Sequence, residues 1–213
     1  MMEFQEAIQE YTEEPLTRQV LMNFLKDYKR PNDKISELVK KGELTQLKKG
    51  FYIPGTKLNT PRPGSYLIAN HLWGPSYVSL ETALSHWAFI PERVYELSSI
   101  TMKRAKTYKT PVGRFSYFHA PLPYYSFGIQ SISVTRRQTV LIASPEKAIC
   151  DKIIMTSGVF LRSTKQALEF LIDDMRMEEE MLRRLKIQEM DSWLEAAPKK
   201  TSLELLLKTL KDL

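Results

Sequence analysis

The chain has 213 residues, 43% hydrophobic and 26% charged, with a net charge of +6, a balance that suits a folded chain of one large or two small domains. No apolar run reaches the length of a membrane span, and the acidic start MMEFQEAIQEYTEE is unlike a signal peptide. The lone Cys150 excludes an internal disulfide and a four-cysteine zinc site, so a cytoplasmic, reducing location is expected.

The charge is unevenly spread. Residues 1–15 hold five acids (Glu3, Glu6, Glu10, Glu13, Glu14) and no base, whereas residues 16–57 and residues 58–150 each hold ten Lys or Arg against four acids. Residues 151–213 are close to neutral. Positive charge is therefore concentrated where a phosphate backbone would lie. A solvated basic surface without a ligand accounts for the same numbers.

Phe4, Ile8 and Tyr11 predict an amphipathic helix over 2–12 with an acidic outer face. Pro15 opens a second helix, Leu16 to about Lys29, with Val20, Leu21, Phe24, Leu25 and Tyr28 on one stripe. Pro31 ends it, and Asn32 or Asp33 caps a third helix that buries Ile35, Leu38 and Val39. Only Pro31 and Asn32 then separate the second helix from the third. Gly42 stops the third helix, and a hairpin follows with Lys48-Lys49-Gly50 at its tip and Phe51-Tyr52-Ile53 on the return.

A helix followed by a basic hairpin is the layout of a winged helix-turn-helix. The third helix would enter a major groove, with Asn32, Lys34, Ser36, Glu37, Lys40 and Lys41 as candidate contacts. Lys48 and Lys49 would anchor on phosphate. The alternative is a small α+β core with surface lysines.

TKLNTPRPGS reads as a linker. Beyond it come a short helix from Ser65 to Trp73, a helix capped by Ser79 and stopped near Pro91, and β-like stretches at Tyr95–Thr101, Gly113–His119, Ile132–Val134 and Thr139–Ala143. Lys103, Arg104, Lys106, Lys109 and Arg114 form a second basic surface interleaved with aromatics, open to DNA, RNA or an acidic face of a protein. Ser144-Pro145-Glu146 opens a further helix. Helices at 164–175, 178–196 and 201–212 complete the chain. The expected fold is α+β, with a winged helix in residues 1–55, a linker over 56–63, and a mixed α/β domain with a helical C-terminus over 64–213.

Chemistry has little foothold. His71, His86 and His119 are scattered, no metal or phosphate-loop motif is present, and Cys150 reads as a buried apolar group. Glu81 and Asp151 are the residues a minority enzymatic reading would rest on. No catalytic residue, metal or cofactor is expected, and oligomeric state is not legible.

Three segments in order, KKGELTQLKKGFYIP, PSYVSLETALSHWAFIPE, and GRFSYFH followed by ASPEKAICDK, resemble the AbiEi-type antitoxins of type IV toxin–antitoxin systems. The resemblance spans about residues 16–152. It implies a winged helix that binds the system's own promoter, so the partner would be double-stranded DNA. It also implies a C-terminal domain that counters a cognate nucleotidyltransferase-type toxin. A protein-interaction antitoxin that does not bind DNA stands as the alternative.

Overall fold

The computed structural model describes residues 4–11, 13–92 and 94–213. Of the helix expected over 2–12, residues 2, 3 and 12 lie outside that set; α1 (Phe4–Glu10) buries Phe4, Ala7 and Ile8. The helix expected from Leu16 to Lys29 is instead two elements, strand β1 (Leu16–Thr17) and helix α2 (Arg18–Phe24). Thr17 is the reason: its backbone is extended, and its Oγ1 accepts a hydrogen bond from the Val20 N–H, so it caps a helix that begins after it. Helix α3 (Pro31–Lys40) starts on Pro31, a position where a missing N–H costs nothing. Asn32 thus lies within the helix and does not cap it. Residues 25–30, not a two-residue turn, join α2 to α3.

Strands β2 (Leu44–Lys48) and β3 (Phe51–Pro54) form the hairpin, with Gly50 at φ +79° in its tip. The small antiparallel sheet has the order β1-β3-β2. All four residues of β3 are buried. Tyr52 packs with Ile8, Leu16, Leu21, Ile35, Leu38 and Leu44 on the face covered by α3. Phe51 and Ile53, with Leu47, belong to the core of the remainder of the chain. Gln46 pairs with Tyr52 and Lys48 with Phe51, which leaves Leu47 as an extra residue, a β-bulge. Gly55 closes the unit; a Cβ there would lie 2.0 Å from the Gly42 carbonyl oxygen, so only glycine fits.

The second sheet contains β4 (Ser76–Val78), β5 (Glu96–Thr101), β6 (Lys106–Thr110), β7 (Gly113–His119), β8 (Ile129–Ser133) and β9 (Thr139–Ala143) in the order β6-β7-β5-β4-β9-β8. The β5–β7 and β4–β9 pairs are parallel and the others antiparallel. Helices α4 (Ser65–Leu72), α5 (Leu80–His86) and α6 (Pro145–Met155) pack against it. The start of α6 is as expected: Ser144 Oγ accepts from the Lys147 N–H, with Pro145 next in line.

The C-terminal region is helical: α7 (Thr164–Glu169) runs into a π-helical turn at Phe170–Asp174, and α8 (Glu179–Leu182), α9 (Ile187–Asp191) and α10 (Lys200–Lys211) follow. The helix expected over 178–196 is broken because the backbone N–H of Lys186 donates to Glu146 of α6, at 2.9 Å, rather than within a helix. Helix α10 buries Leu203, Leu206, Leu207 and Leu210. Just before it, the Lys199 ammonium donates to the carbonyls of Ile153, Thr156 and Val159 and closes the end of α6. The architecture is thus mixed α/β with two sheets among the described residues. No helix among them is long and apolar enough to cross a membrane.

Candidate nucleic-acid interface

Helix α3 turns Ile35 and Leu38 inward, so residues a turn apart on the opposite side are left in solvent. Asn32, Ser36 and Lys40 form that exposed stripe. Ser36 Oγ donates to the Asn32 carbonyl at 3.0 Å, and the Arg18 guanidinium donates to Asn32 Oδ1 at 2.9 and 3.2 Å. The backbone N–H of Arg18 donates to the Gly50 carbonyl at 2.9 Å. Arg18 therefore ties the start of α3 to the hairpin tip.

The other α3 candidates are engaged with each other. Glu37 lies 3.1 Å from Lys34 Nζ and 2.6 Å from Lys41 Nζ. Hydrogen bonds from Lys41 and Lys34 hold its carboxyl below the usual range. Lys34 also sits over the Tyr28 ring.

The bulge at Leu47 separates the two tip lysines. Lys49 is exposed. Lys48, paired with Phe51, faces the larger part of the chain, where its ammonium donates to the Leu72 carbonyl at the end of α4. It lies 5.7 Å from the ring centres of both Trp73 and Tyr108. Lys103 and Lys106 approach the same indole at 5.0 and 4.6 Å, and Lys103 donates to the Gly74 carbonyl. Burial, then the Lys103 and Lys106 charges, hold the Lys48 ammonium below the usual lysine range.

The hairpin surface and the second basic surface therefore meet at Trp73. Arg104 contributes its carbonyl, which accepts from Trp73 Nε1 at 3.1 Å. Lys109 lies on the opposite face of β6 from Lys106 and Tyr108, because side chains alternate along a strand. Arg114 pairs with Glu96 at 3.1 Å.

Two participants escape sequence reading, Arg18 and Trp73, whereas Tyr108 is one of the aromatics interleaved with the second basic surface. The roles of Arg18 and Trp73 arise from contacts with residues far along the chain, which periodicity cannot register.

Two further places carry polar groups. Asp151 is fully buried and accepts from Ser79 Oγ (2.7 Å), Tyr77 OH (3.0 Å) and Tyr124 OH (2.8 Å), with Lys147 Nζ at 3.0 Å. Burial is the main cause that pushes both phenols well above their ordinary range, so they remain donors. Burial also lowers Lys147, against the pull of Asp151. Cys150 is buried beside this group and its thiol is pushed up by burial, which makes it inert as a nucleophile. Separately, a cavity of about 610 Å³ is walled by Glu81, Ile90, Phe118, Lys152 and Met175, among others, and Glu81 is paired with Lys152. No cluster suited to a metal ion occurs among the described residues.

No family model matches this chain, and no curated protein matches it. Among solved structures it is similar to the Rv2827c protein of Mycobacterium tuberculosis, with a TM-score of 0.63 at 13% identity, over 98% of this chain and 76% of that one. At that identity the likeness speaks for the fold alone.

Proposed function

We propose that this protein is a DNA-binding transcriptional regulator that acts as the antitoxin of a type IV toxin–antitoxin system, repressing its own promoter and countering a nucleotidyltransferase-type toxin in the cytoplasm. The observation that carries the DNA-binding half is the exposed stripe Asn32, Ser36 and Lys40 on α3, joined through Arg18 to the hairpin tip. The element order α1, β1, α2, α3, β2, β3, with a β1-β3-β2 sheet, supports reading residues 4–55 as a winged helix. The turn over residues 25–30 supplies the room that a helix-turn-helix needs. On this reading the α3 stripe meets base edges and Lys49 meets phosphate.

The antitoxin half rests on the resemblance of the three ordered segments to the AbiEi type. The proposed role is a binding one, and the burial of Ser79, Asp151 and Lys147 away from solvent is in keeping with it.

The test is a mobility-shift titration of the full-length protein on the DNA upstream of its own gene. The Ser36→Ala/Lys40→Ala variant should lose affinity for that sequence more than for unrelated DNA. Lys49→Ala should weaken binding to all sequences and reduce the salt slope by about one. Absence of any shift at low salt, or shifts indifferent to these changes, would overturn the reading.

A second reading, an antitoxin that acts only through protein contact, is favoured by a groove on the C-terminal helices. Leu168, Ile172 and Met177 line it, with Glu169, Asp173, Glu178 and Glu179 around them. Full antitoxicity of a variant that no longer shifts DNA would separate the two.

A further inference from the structure

Lys48, Lys103 and Lys106 come from two distant parts of the chain and converge within 5.7 Å of one indole centre. Ammonium groups so close repel one another. A carboxylate would neutralise that repulsion, yet none of the three has one as a partner among the described residues. The contrast with α3 is direct, since Lys34 and Lys41 share Glu37.

Two of the cluster lysines are anchored by backbone carbonyls, Lys48 on Leu72 and Lys103 on Gly74. An ammonium carries three N–H donors, so each keeps donors to spare. Tyr108 stands beside Trp73 with ring centres 5.9 Å apart and ring planes inclined at 58°. The cluster lies on the face of the small sheet away from α3, because the bulge turns Lys48 to that side. It is therefore separate from the α3 stripe.

We propose that this cluster is a binding site for a polyphosphate anion, the di- or triphosphate group of a nucleotide. A phosphodiester brings a single charge to any one point of a backbone. Linked phosphates bring several charges within a few ångströms, and that density matches three ammonium groups gathered at a single ring. Lysine serves such a ligand as a point charge. The face of either ring offers a surface on which a nucleotide base can stack.

The site is independent of the α3 stripe and stands or falls separately from the DNA-binding reading. The experiment is a calorimetric titration of the full-length protein at low salt with pyrophosphate, ATP, inorganic phosphate and duplex DNA, each alone. Pyrophosphate and ATP should bind saturably at one site, and inorganic phosphate much more weakly. Lys103→Ala/Lys106→Ala, at two exposed positions, should weaken pyrophosphate and ATP by about tenfold or more, the loss expected for two charge-assisted contacts.

Lys208→Ala, an exposed lysine of α10, should change neither. Tighter binding of ATP than of pyrophosphate would add stacking of the base to the site. Binding of duplex DNA alone, or weak binding of all anions that the double variant does not alter, would overturn the proposal. DNA shifts without pyrophosphate binding reject this site and leave the regulator reading intact, and the converse result supports the site while rejecting the regulator.

Discussion

Asp151 collects four donors in a place that water does not reach: Ser79, Tyr77, Tyr124 and Lys147. Bringing a carboxylate into the interior is costly unless its lone pairs are occupied, and here they are. The consequences of removal are unequal. Asp151→Ala strands an ammonium and three hydroxyls, and should cost roughly 3–5 kcal/mol in a urea unfolding titration. Lys147→Met leaves Asp151 with its three hydroxyl donors and should cost clearly less. The double variant should show coupling between the two positions. Equal and additive losses would mean that the pair does not act as a unit. Sequence reading gives Asp151 a part only in a minority enzymatic reading, because its nearest chain neighbours say nothing of Tyr77 or Ser79. The alignment depends on β4 and α6 meeting in space.

At the scale of the element, the hairpin β2–β3 departs most from its sequence reading. Alternation of buried and exposed residues is what a free hairpin arm should show. FYIP has none, and a continuous apolar run is the mark of a strand covered on both faces. The signal is present in residues 51–54, but a four-residue apolar run is ambiguous until its coverings are known. The bulge has no such signal. Nothing in LTQLKK distinguishes Leu47 as the extra residue, yet that one residue decides that Lys48 turns to the larger part of the chain.

Since Leu47 is buried in the main core, Leu47→Ala should cost about 2–5 kcal/mol in thermal or urea unfolding, more than expected of a surface hairpin. A loss below about 0.5 kcal/mol, the range of an ordinary surface change, would mean that the hairpin is loosely held. The helix starts at Ser144 and the apolar face of α10 are legible because both are local: a cap, a proline and leucines at helical spacing.

At the scale of the whole molecule, Lys48 of the first basic stretch and Lys103 and Lys106 of the second are neighbours in space. The Pro-rich segment after Gly55 reads as a linker by composition, and a linker reading implies parts that touch little. Contacts across it are extensive instead: Leu47, Phe51 and Ile53 enter the larger core, and Lys48 reaches Trp73. Glu13, upstream of the small sheet, accepts hydrogen bonds from Thr135 and Gln138, at 2.7 and 2.9 Å. Gln138 in turn accepts from the Gly64 N–H at 2.8 Å. Composition records the prolines; it cannot record what lies on either side of β3. The mixed α/β character is legible because helical and strand-like periodicities both occur along the chain, and the inward turn of Ile35 and Leu38 is legible because it follows from periodicity within one helix. The lysine–indole cluster is not, because its members are brought together by the packing of β2 against β6.

Strand β3, walled in on both sides, makes the joint between the two halves resemble that of a split protein. A single strand serves as the lining of two cores, so the covalent connection over residues 56–63 is not what keeps them together. Residues 1–55 and 56–213 expressed as separate chains should co-purify as a stoichiometric complex and melt as one unit. Two chains that elute apart and remain folded would show that the shared strand does not bind them. Cutting the polypeptide would then change the entropy of assembly without changing its surfaces, and reassembly of the halves would itself report on whether anything that binds one side is felt on the other.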